Sequence, residues 1–270
     1  LDPAGEPLHV AGVPPDYFSA TGQRWGNPIY RWDRLAAAGY AWWVDRLAAQ
    51  LRLVHRVRLD HFRACAGDWE IPASEPTAAN GSWRQGPGYD LFQAVEERLG
   101  RLPFVAEDLG VITPDVEALR VRLGIPGMRV LQFAFDSADS PHVPHNLQHD
   151  VVLYTGTHDN DTARGWIGSI DPALRRRALD YVGATADSFH WHLVRAAQTS
   201  VADLTVIPIQ DALGLDGSHR INIPGTASGN WTWRLPADAL SPELAEGLNH
   251  LGDLSGRLPS PQDDGDPAAQ

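Results

Sequence analysis

Acidic side chains stand at the ends of three short apolar runs in this sequence. Asp60 ends a run that begins at Leu53, Glu107 follows the run at 104–106, and Asp159 comes shortly after the run at 151–154. Such runs predict short strands, and the carboxyl ends of parallel strands meet at one edge of a sheet. Two carboxylates about 5–5.5 Å apart are the pair that retaining glycoside chemistry needs. Asp60 and Glu107 are predicted to form that pair.

The neighbours of these acids suit different roles. Arg58 lies two residues before Asp60 and so on the same face of a strand, where its cation would keep Asp60 ionised. The apolar run before Glu107 would raise the pKa of that carboxyl, as a general acid requires. Two structural interpretations stay open, an ion pair between Arg58 and Asp60 and a helix N-terminal cap at Glu107 and Asp108. The three acids taken together favour catalysis.

The segment Thr-His-Asp-Asn-Asp at 157–161 allows three interpretations. It could bind a metal, although no second His lies nearby at helical or strand spacing. It could be a polar turn at a strand end. It could also be a sugar clamp, in which His158 and Asp159 hydrogen-bond ring hydroxyls. A Ser-His-Asp hydrolase is not supported, because the sequence has no G-x-S-x-G motif.

Short strands that alternate with helices predict an α/β fold with a parallel sheet. The predicted strands lie at 53–60, 104–106, 128–135, 151–154 and 203–209, and the predicted helices at 32–51, 89–99, 113–123, 172–181 and 189–199. Thr113 and Asp171, each followed by proline, are predicted N-caps. A doubly wound sheet is one alternative, but no glycine-rich turn follows the first strand. Polar residues at every strand end favour a (β/α)₈ TIM barrel.

Five strands instead of eight predict only part of such a barrel, about strands 4 to 8 with long cleft loops. The chain begins at Leu1 and its single methionine is Met128, which predicts a piece of a longer protein. Residues 1–254 are predicted to be the C-terminal portion of a catalytic domain, with 1–30 as a cleft loop. The Pro-, Asp- and Gly-rich segment 255–270 is predicted to be a disordered tail.

The composition excludes several classes of protein. A net charge of −12 argues against nucleic acid as a partner. The absence of lysine removes Schiff-base chemistry and the Walker phosphate loop. One cysteine allows no internal disulfide, and no apolar run approaches the ~20 residues of a membrane span. We therefore expect a cytoplasmic protein with no membrane partner. The ten Trp residues fit either a sugar-binding cleft or a core.

Three motifs make the interpretation specific. They are Val-Arg-Leu-Asp-His-Phe-Arg at 57–63, Ala-Glu-Asp-Leu-Gly at 106–110 and Gly-Thr-His-Asp-Asn-Asp at 156–161. In this order they resemble the catalytic motifs of the 4-α-glucanotransferases, the amylomaltase or disproportionating-enzyme family (glycoside hydrolase family 77). The resemblance runs from about residue 8 to about residue 236. Ala64 departs from it, since the family more often has glycine there.

The resemblance implies a role for each acid. Asp60 would be the nucleophile, Glu107 the general acid and base, and Asp159 a third carboxylate that stabilises the distorted sugar. The implied substrate-binding residues are Arg58, His158, Trp25, Asn27, His61 and Asn222. The implied substrates are malto-oligosaccharides and α-1,4-glucans, with no organic cofactor and no metal. The alternatives are an amylase-like hydrolase, a fragment that only binds glucan, and a metal-dependent barrel hydrolase.

Overall fold

The structure, a computed structural model, describes residues 1–15 and 19–259 and divides into two compact units, 1–128 and 129–270. The predicted tail falls outside the described residues from position 260 onward. None of the helices in the described part of the chain has the length and hydrophobicity that crossing a bilayer requires.

The elements are numbered in chain order. The first unit contains β1 (His9–Val13), β2 (Gln23–Pro28), α1 (Trp32–Ala37), α2 (Ala41–Leu51), β3 (Val57–Leu59), β4 (Gly67–Pro72), β5 (Ser82–Gln85), α3 (Gly88–Leu99), β6 (Phe104–Ala106) and α4 (Pro114–Leu123). Strand β7 (Gly127–Val130) spans the division. The second unit continues with β8 (Val151–Tyr154), α5 (Ala163–Ser169), α6 (Pro172–Val182), α7 (Phe189–Gln198), β9 (Leu204–Val206), α8 (Ile209–Leu213) and α9 (Pro242–Leu254).

An antiparallel sheet in the first unit corrects the prediction of a loop at 1–30. Its strands lie in the order β2-β1-β4-β5. The sequence of β2, Gln-Arg-Trp-Gly-Asn-Pro, lacks the alternation of apolar and polar residues by which a strand is recognised. Gly12 is required where β1 meets β2, because a Cβ there would lie 2.1 Å from the Gln23 carbonyl oxygen. The structure of this region therefore depends on the pairing of strands, which the local sequence pattern does not show.

The parallel strands of the first unit were predicted from the sequence. β3 pairs with β6 in parallel, with Val57 opposite Phe104 and Leu59 opposite Ala106. β6 is buried throughout, and its Phe104 packs with Phe62 and Phe92 in the main core of this unit. Helices α2, α3 and α4 contribute the remaining large side chains of that core. The two strands are therefore fixed by burial on their helical side.

The second unit is built on the sheet β7-β8-β9, in which β8 and β9 run parallel. Its core joins Leu153 of β8 to Ile167 of α5 and Phe189 of α7. Asp171 caps α6 as predicted, because its carboxylate accepts the N–H of Ala173 at 2.8 Å. Thr113 is the N-cap residue of α4 as predicted, with Pro114 at the first helical position, although its hydroxyl makes no capping hydrogen bond.

All five predicted strands are present, and the fold class is α/β as predicted. The described residues form three separate sheets of four, two and three strands, with no closed barrel among them. The last predicted strand ends early, at Val206, so that Gln210 and Asp211 lie on α8 instead of at a strand end.

Candidate active site

Asp60 and Glu107 directly follow the paired strands β3 and β6. The register that sets Leu59 opposite Ala106 brings the next residue of each strand to the same level. The N–H of Glu107 donates to the Leu59 carbonyl at 3.0 Å, and the N–H of Phe62 donates to the Glu107 carbonyl at 3.0 Å. The backbone therefore fixes these two acids side by side at the carboxyl ends of two parallel strands, where catalytic residues of α/β proteins lie.

The carboxylate of Glu107 is held from both sides by backbone N–H groups. His61 N–H donates to Oε2 at 2.7 Å, and Leu109 N–H donates to Oε1 at 3.0 Å. Burial nevertheless raises the pKa of Glu107, these two hydrogen bonds oppose the rise, and the nearby negative charge of Asp60 adds to it. Glu107 therefore keeps its proton to a higher pH than an ordinary carboxyl group, which suits a general acid.

Asp60 has a different environment. Its Oδ1 lies 2.8 Å from Nη2 of Arg58, while the side chain is 75% exposed. The Arg58 guanidinium is held in turn by the sulfur of Met128, 3.0 Å from its Nε. The pair predicted between Arg58 and Asp60 is therefore present, and it orients a carboxylate that remains open to a reactant.

His61 connects these acids to an aromatic residue. Its backbone is left-handed, with φ of 47°, and its ring meets the Trp25 ring edge-on at 4.7 Å. Such a conformation is strained for a residue with a Cβ and persists where neighbours impose it. Here the N–H donated to Glu107 imposes it. Burial lowers the pKa of His61, which leaves the ring neutral near pH 7 and able both to donate and to accept.

A cavity of about 710 Å³ collects most of the residues predicted for the first unit. Trp25, Asn27, Arg58, Asp60 and His61 all line it. The size is typical of small-molecule sites. Its other aromatic lining residues, to which the sequence motifs assign no role, are Tyr30, Trp32, Trp43 and Phe92. The ten Trp residues of the sequence were the signal that pointed toward Trp32 and Trp43.

The second unit carries the third acid, Asp159, and gathers its own predicted residues around it. His158 Nε2 lies 3.3 Å from Asp159 Oδ2, and Asn222 Nδ2 donates to Asp159 Oδ1 at 2.8 Å. Arg220 donates to the Asp159 carbonyl at 2.9 Å. Within 1–15 and 19–259, no three His, Cys, Asp or Glu side chains form a metal-binding group. The cluster offers both hydrogen-bond donors and hydrogen-bond acceptors.

A buried carboxylate anchors both ends of the segment that carries His158 and Asp159. Thr155 donates its hydroxyl to Asp211 Oδ2 at 2.6 Å, and the N–H of Ala163 donates to Asp211 Oδ1 at 2.7 Å. Burial raises the pKa of Asp211. The sequence does not predict this role of Asp211, because Thr155 and Ala163 are distant from it in the chain.

Comparison with known proteins identifies the family. The family model of 4-alpha-glucanotransferase, glycoside hydrolase family 77, matches residues 4–240. The 4-alpha-glucanotransferase of Thermus thermophilus is 52% identical, over 96% of this chain and 53% of the relative. That of Synechocystis is 50% identical, over 95% of this chain and 52% of the relative. The chain thus spans about half the length of the curated relatives it matches.

The solved structures agree with the sequence relatives. An amylomaltase from Streptococcus agalactiae in complex with acarbose superposes with a TM-score of 0.90 at 35% identity, over 95% of this chain and 52% of that one. An amylomaltase from Corynebacterium glutamicum, 22% identical with a TM-score of 0.75, shares the fold. The chain therefore belongs to glycoside hydrolase family 77, the 4-alpha-glucanotransferases.

Proposed function

We propose that this chain forms the catalytic part of a 4-α-glucanotransferase that moves α-1,4-glucan segments between malto-oligosaccharides. One observation carries the proposal. An exposed carboxylate that is ion-paired with arginine stands beside a half-buried carboxyl of raised pKa, at the ends of two parallel strands. Family membership and the names of the relatives support the glucan as substrate.

The two environments suit the two steps of a double displacement. Asp60 attacks the anomeric carbon while Glu107 donates its proton to the departing glycosidic oxygen, which leaves a glucosyl–Asp60 ester. Glu107, now a carboxylate, takes the proton from the 4-hydroxyl of an acceptor sugar as that oxygen displaces Asp60. The configuration at the anomeric carbon is retained because it inverts twice.

The remaining predicted residues are proposed to bind the sugar. Asp159, with His158 and Asn222, would hydrogen-bond ring hydroxyls and stabilise the distorted ring. Arg58 and His61, with Trp25 and Asn27, would contact the substrate from the cavity of the first unit.

The proposed architecture is part of a (β/α)₈ barrel, about strands 4 to 8, within residues 1–254. The parallel pairs β3–β6 and β8–β9 and the TM-score of 0.90 support it. Residues 1–30, with β1 and β2, would cover the cleft. The predicted tail begins later than position 255, because Arg257 donates to the carbonyls of Gln198, Ser200 and Ala202. A cytoplasmic location is proposed from the composition, whose single cysteine is typical of reducing compartments.

A maltotriose assay tests the proposal on the chain alone and on the chain joined to its upstream coding sequence. Transfer yields both longer and shorter oligosaccharides, whereas an amylase-like hydrolase yields only glucose and maltose. We expect transfer, reduced at least about 10³-fold in Asp60→Asn and in Glu107→Gln, since each removes a group that acts on the reacting bonds. Folded protein in both forms with no transfer would contradict the proposal.

A further inference from the structure

Trp231 places a large indole beside the acid cluster of the second unit. Its ring centroid lies 5.4 Å from that of His158, with the two planes tilted by 39°. The residue is 59% exposed. Single exposed apolar residues are common, so exposure alone decides nothing. The position of the ring next to His158 is the informative feature.

The backbone of Trp231 has an unfavourable conformation that its neighbours stabilise. Its φ is 62°, a left-handed conformation that is unfavourable for a bulky residue. The N–H of Trp231 donates to the Ile221 carbonyl at 2.6 Å, and Asn230 Oδ1 accepts the N–H of Ile223 at 3.0 Å. These bonds close a turn over 221–231 that presents the ring. Strain of this kind is concentrated at functional sites.

The same turn carries a polar partner of the acid cluster. Asn222, next to the Ile221 carbonyl that binds Trp231, donates its amide to Asp159. One turn therefore supplies an apolar ring and an amide to the neighbourhood of His158 and Asp159. A pyranose needs both, because its C–H faces pack on aromatic rings while its hydroxyls hydrogen-bond to polar groups.

We infer that Trp231 is a sugar-binding residue, on which one glucosyl unit of the glucan stacks while His158, Asp159 and Asn222 bind its hydroxyls. The inference rests on the proposed function, since it takes its ligand from there. It adds an apolar contact to a group of residues that otherwise offers hydrogen bonds only.

The competing explanation is that Trp231 only positions His158. The two explanations differ in kinetics, because a stacking residue contributes to binding whereas a misplaced His158 slows the reaction itself. Trp231→Ala removes the ring, and Trp231→Phe keeps an aromatic face. Both replacements retain a Cβ, so the cost of the left-handed backbone stays similar in each.

Maltotriose kinetics are measured in whichever form of the protein shows transfer. Trp231→Ala is expected to raise KM about tenfold with kcat changed less than about twofold, as loss of an aromatic contact predicts. Trp231→Phe should recover most of this loss. The matched control is Trp83→Ala on β5, where the native residue is 49% exposed and does not line the cavity of the first unit, and its KM should be unchanged. A fall in kcat at unchanged KM would overturn the inference.

A second measurement needs no catalysis. Tryptophan oxidation by N-bromosuccinimide is followed by peptide mass spectrometry on the chain itself, with and without saturating maltoheptaose. We expect maltoheptaose to protect Trp231 at least severalfold, while Trp83 is oxidised at the same rate in both samples. Unprotected Trp231 in protein that binds maltoheptaose by calorimetry would overturn the inference and leave the proposed function standing. If the protein neither binds maltoheptaose nor transfers glucan, both the inference and the proposed function are overturned.

Discussion

At the scale of single residues, environment separates two chemically similar carboxylates. Asp60 is exposed and touches Arg58, whereas Glu107 is half-buried and accepts two backbone N–H groups. Burial raises the pKa of Glu107, and a carboxyl group of raised pKa is typical of a general acid. The roles proposed for the two acids follow from this difference. The neighbouring residues in the sequence predict its direction, and the structure adds the two backbone hydrogen bonds to Glu107.

Replacing Asp60 should lower the pKa of Glu107. The negative charge of Asp60 disfavours ionisation of Glu107, so Asp60→Asn removes one of the causes that raise its pKa. The measurement is a pH titration by NMR with ¹³C-labelled glutamate, in which Glu107→Gln identifies the signal. Asp45→Asn, at an exposed position on α2, is the control and should leave the titration unchanged. A pKa of Glu107 that stays constant or rises in Asp60→Asn would contradict this account.

At the scale of elements, Asp211 on α8 joins the end of β8 to the beginning of α5. Its two oxygens accept from Thr155 and Ala163, on either side of the segment that carries His158 and Asp159. Asp211 is almost fully buried. If its carboxylate were removed, water could not replace it as the hydrogen-bond acceptor for Thr155 and Ala163.

Asp211→Ala should therefore lower the free energy of unfolding by about 2–3 kcal/mol, since two buried hydrogen bonds are broken. Asp211→Asn keeps one acceptor oxygen and should lose less. Urea unfolding measures both. Asp187→Ala is the control, because its side chain is 97% exposed, and a change within about 0.5 kcal/mol is expected there. Equal stability of Asp211→Ala and the native chain would show that the hydrogen bonds do not hold this segment.

Strand β4 carries a second buried acid with a consequence for pH. Burial raises the pKa of Asp68 to about 6 from its ordinary value of 3.8. Below pH 3.8 the carboxyl group is protonated in both the folded and the unfolded chain, so it does not lower the free energy of unfolding. As the pH rises toward 6, the unfolded chain releases the proton while the folded chain keeps it, so stability falls and then levels off.

Asp68→Asn should remove this pH-dependent loss. Relative to the native chain, the variant should gain about 2–3 kcal/mol in unfolding free energy between pH 4 and pH 7. Urea unfolding at the two pH values gives the difference, and Asp187→Asn, at an exposed position, should show none. A difference between Asp68→Asn and the native chain that is the same at both pH values would mean that Asp68 does not titrate in this range.

At the scale of the whole molecule, the chain matches about half of each relative, and its described residues contain no closed barrel. A (β/α)₈ barrel needs eight strands to remove its open sheet edges. We predict that fusing this chain to the part of the Thermus thermophilus protein outside the match gives more maltotriose transfer than the chain alone. The same fusion with Asp60→Asn is the control. Equal transfer by the chain alone would contradict the need for further strands.

The sequence by itself determined the positions of five strands, the two acids that directly follow β3 and β6, and the family. These depend on local signals, since apolar runs, proline after an N-cap and contiguous motifs are all read from neighbouring residues. The positions of Asp60 and Glu107 at the ends of β3 and β6 were predicted for this reason.

Only the tertiary structure decided which distant residues meet. β2 pairs with β1 although its own residues are mostly polar, because backbone hydrogen bonds and a close approach at Gly12 make the contact. Asn222 reaches Asp159, and Asp211 reaches Thr155, across more than fifty positions of the chain. The left-handed turn that presents Trp231 is likewise closed by its partners. Such contacts arise from packing of whole elements, which no local pattern of residues encodes.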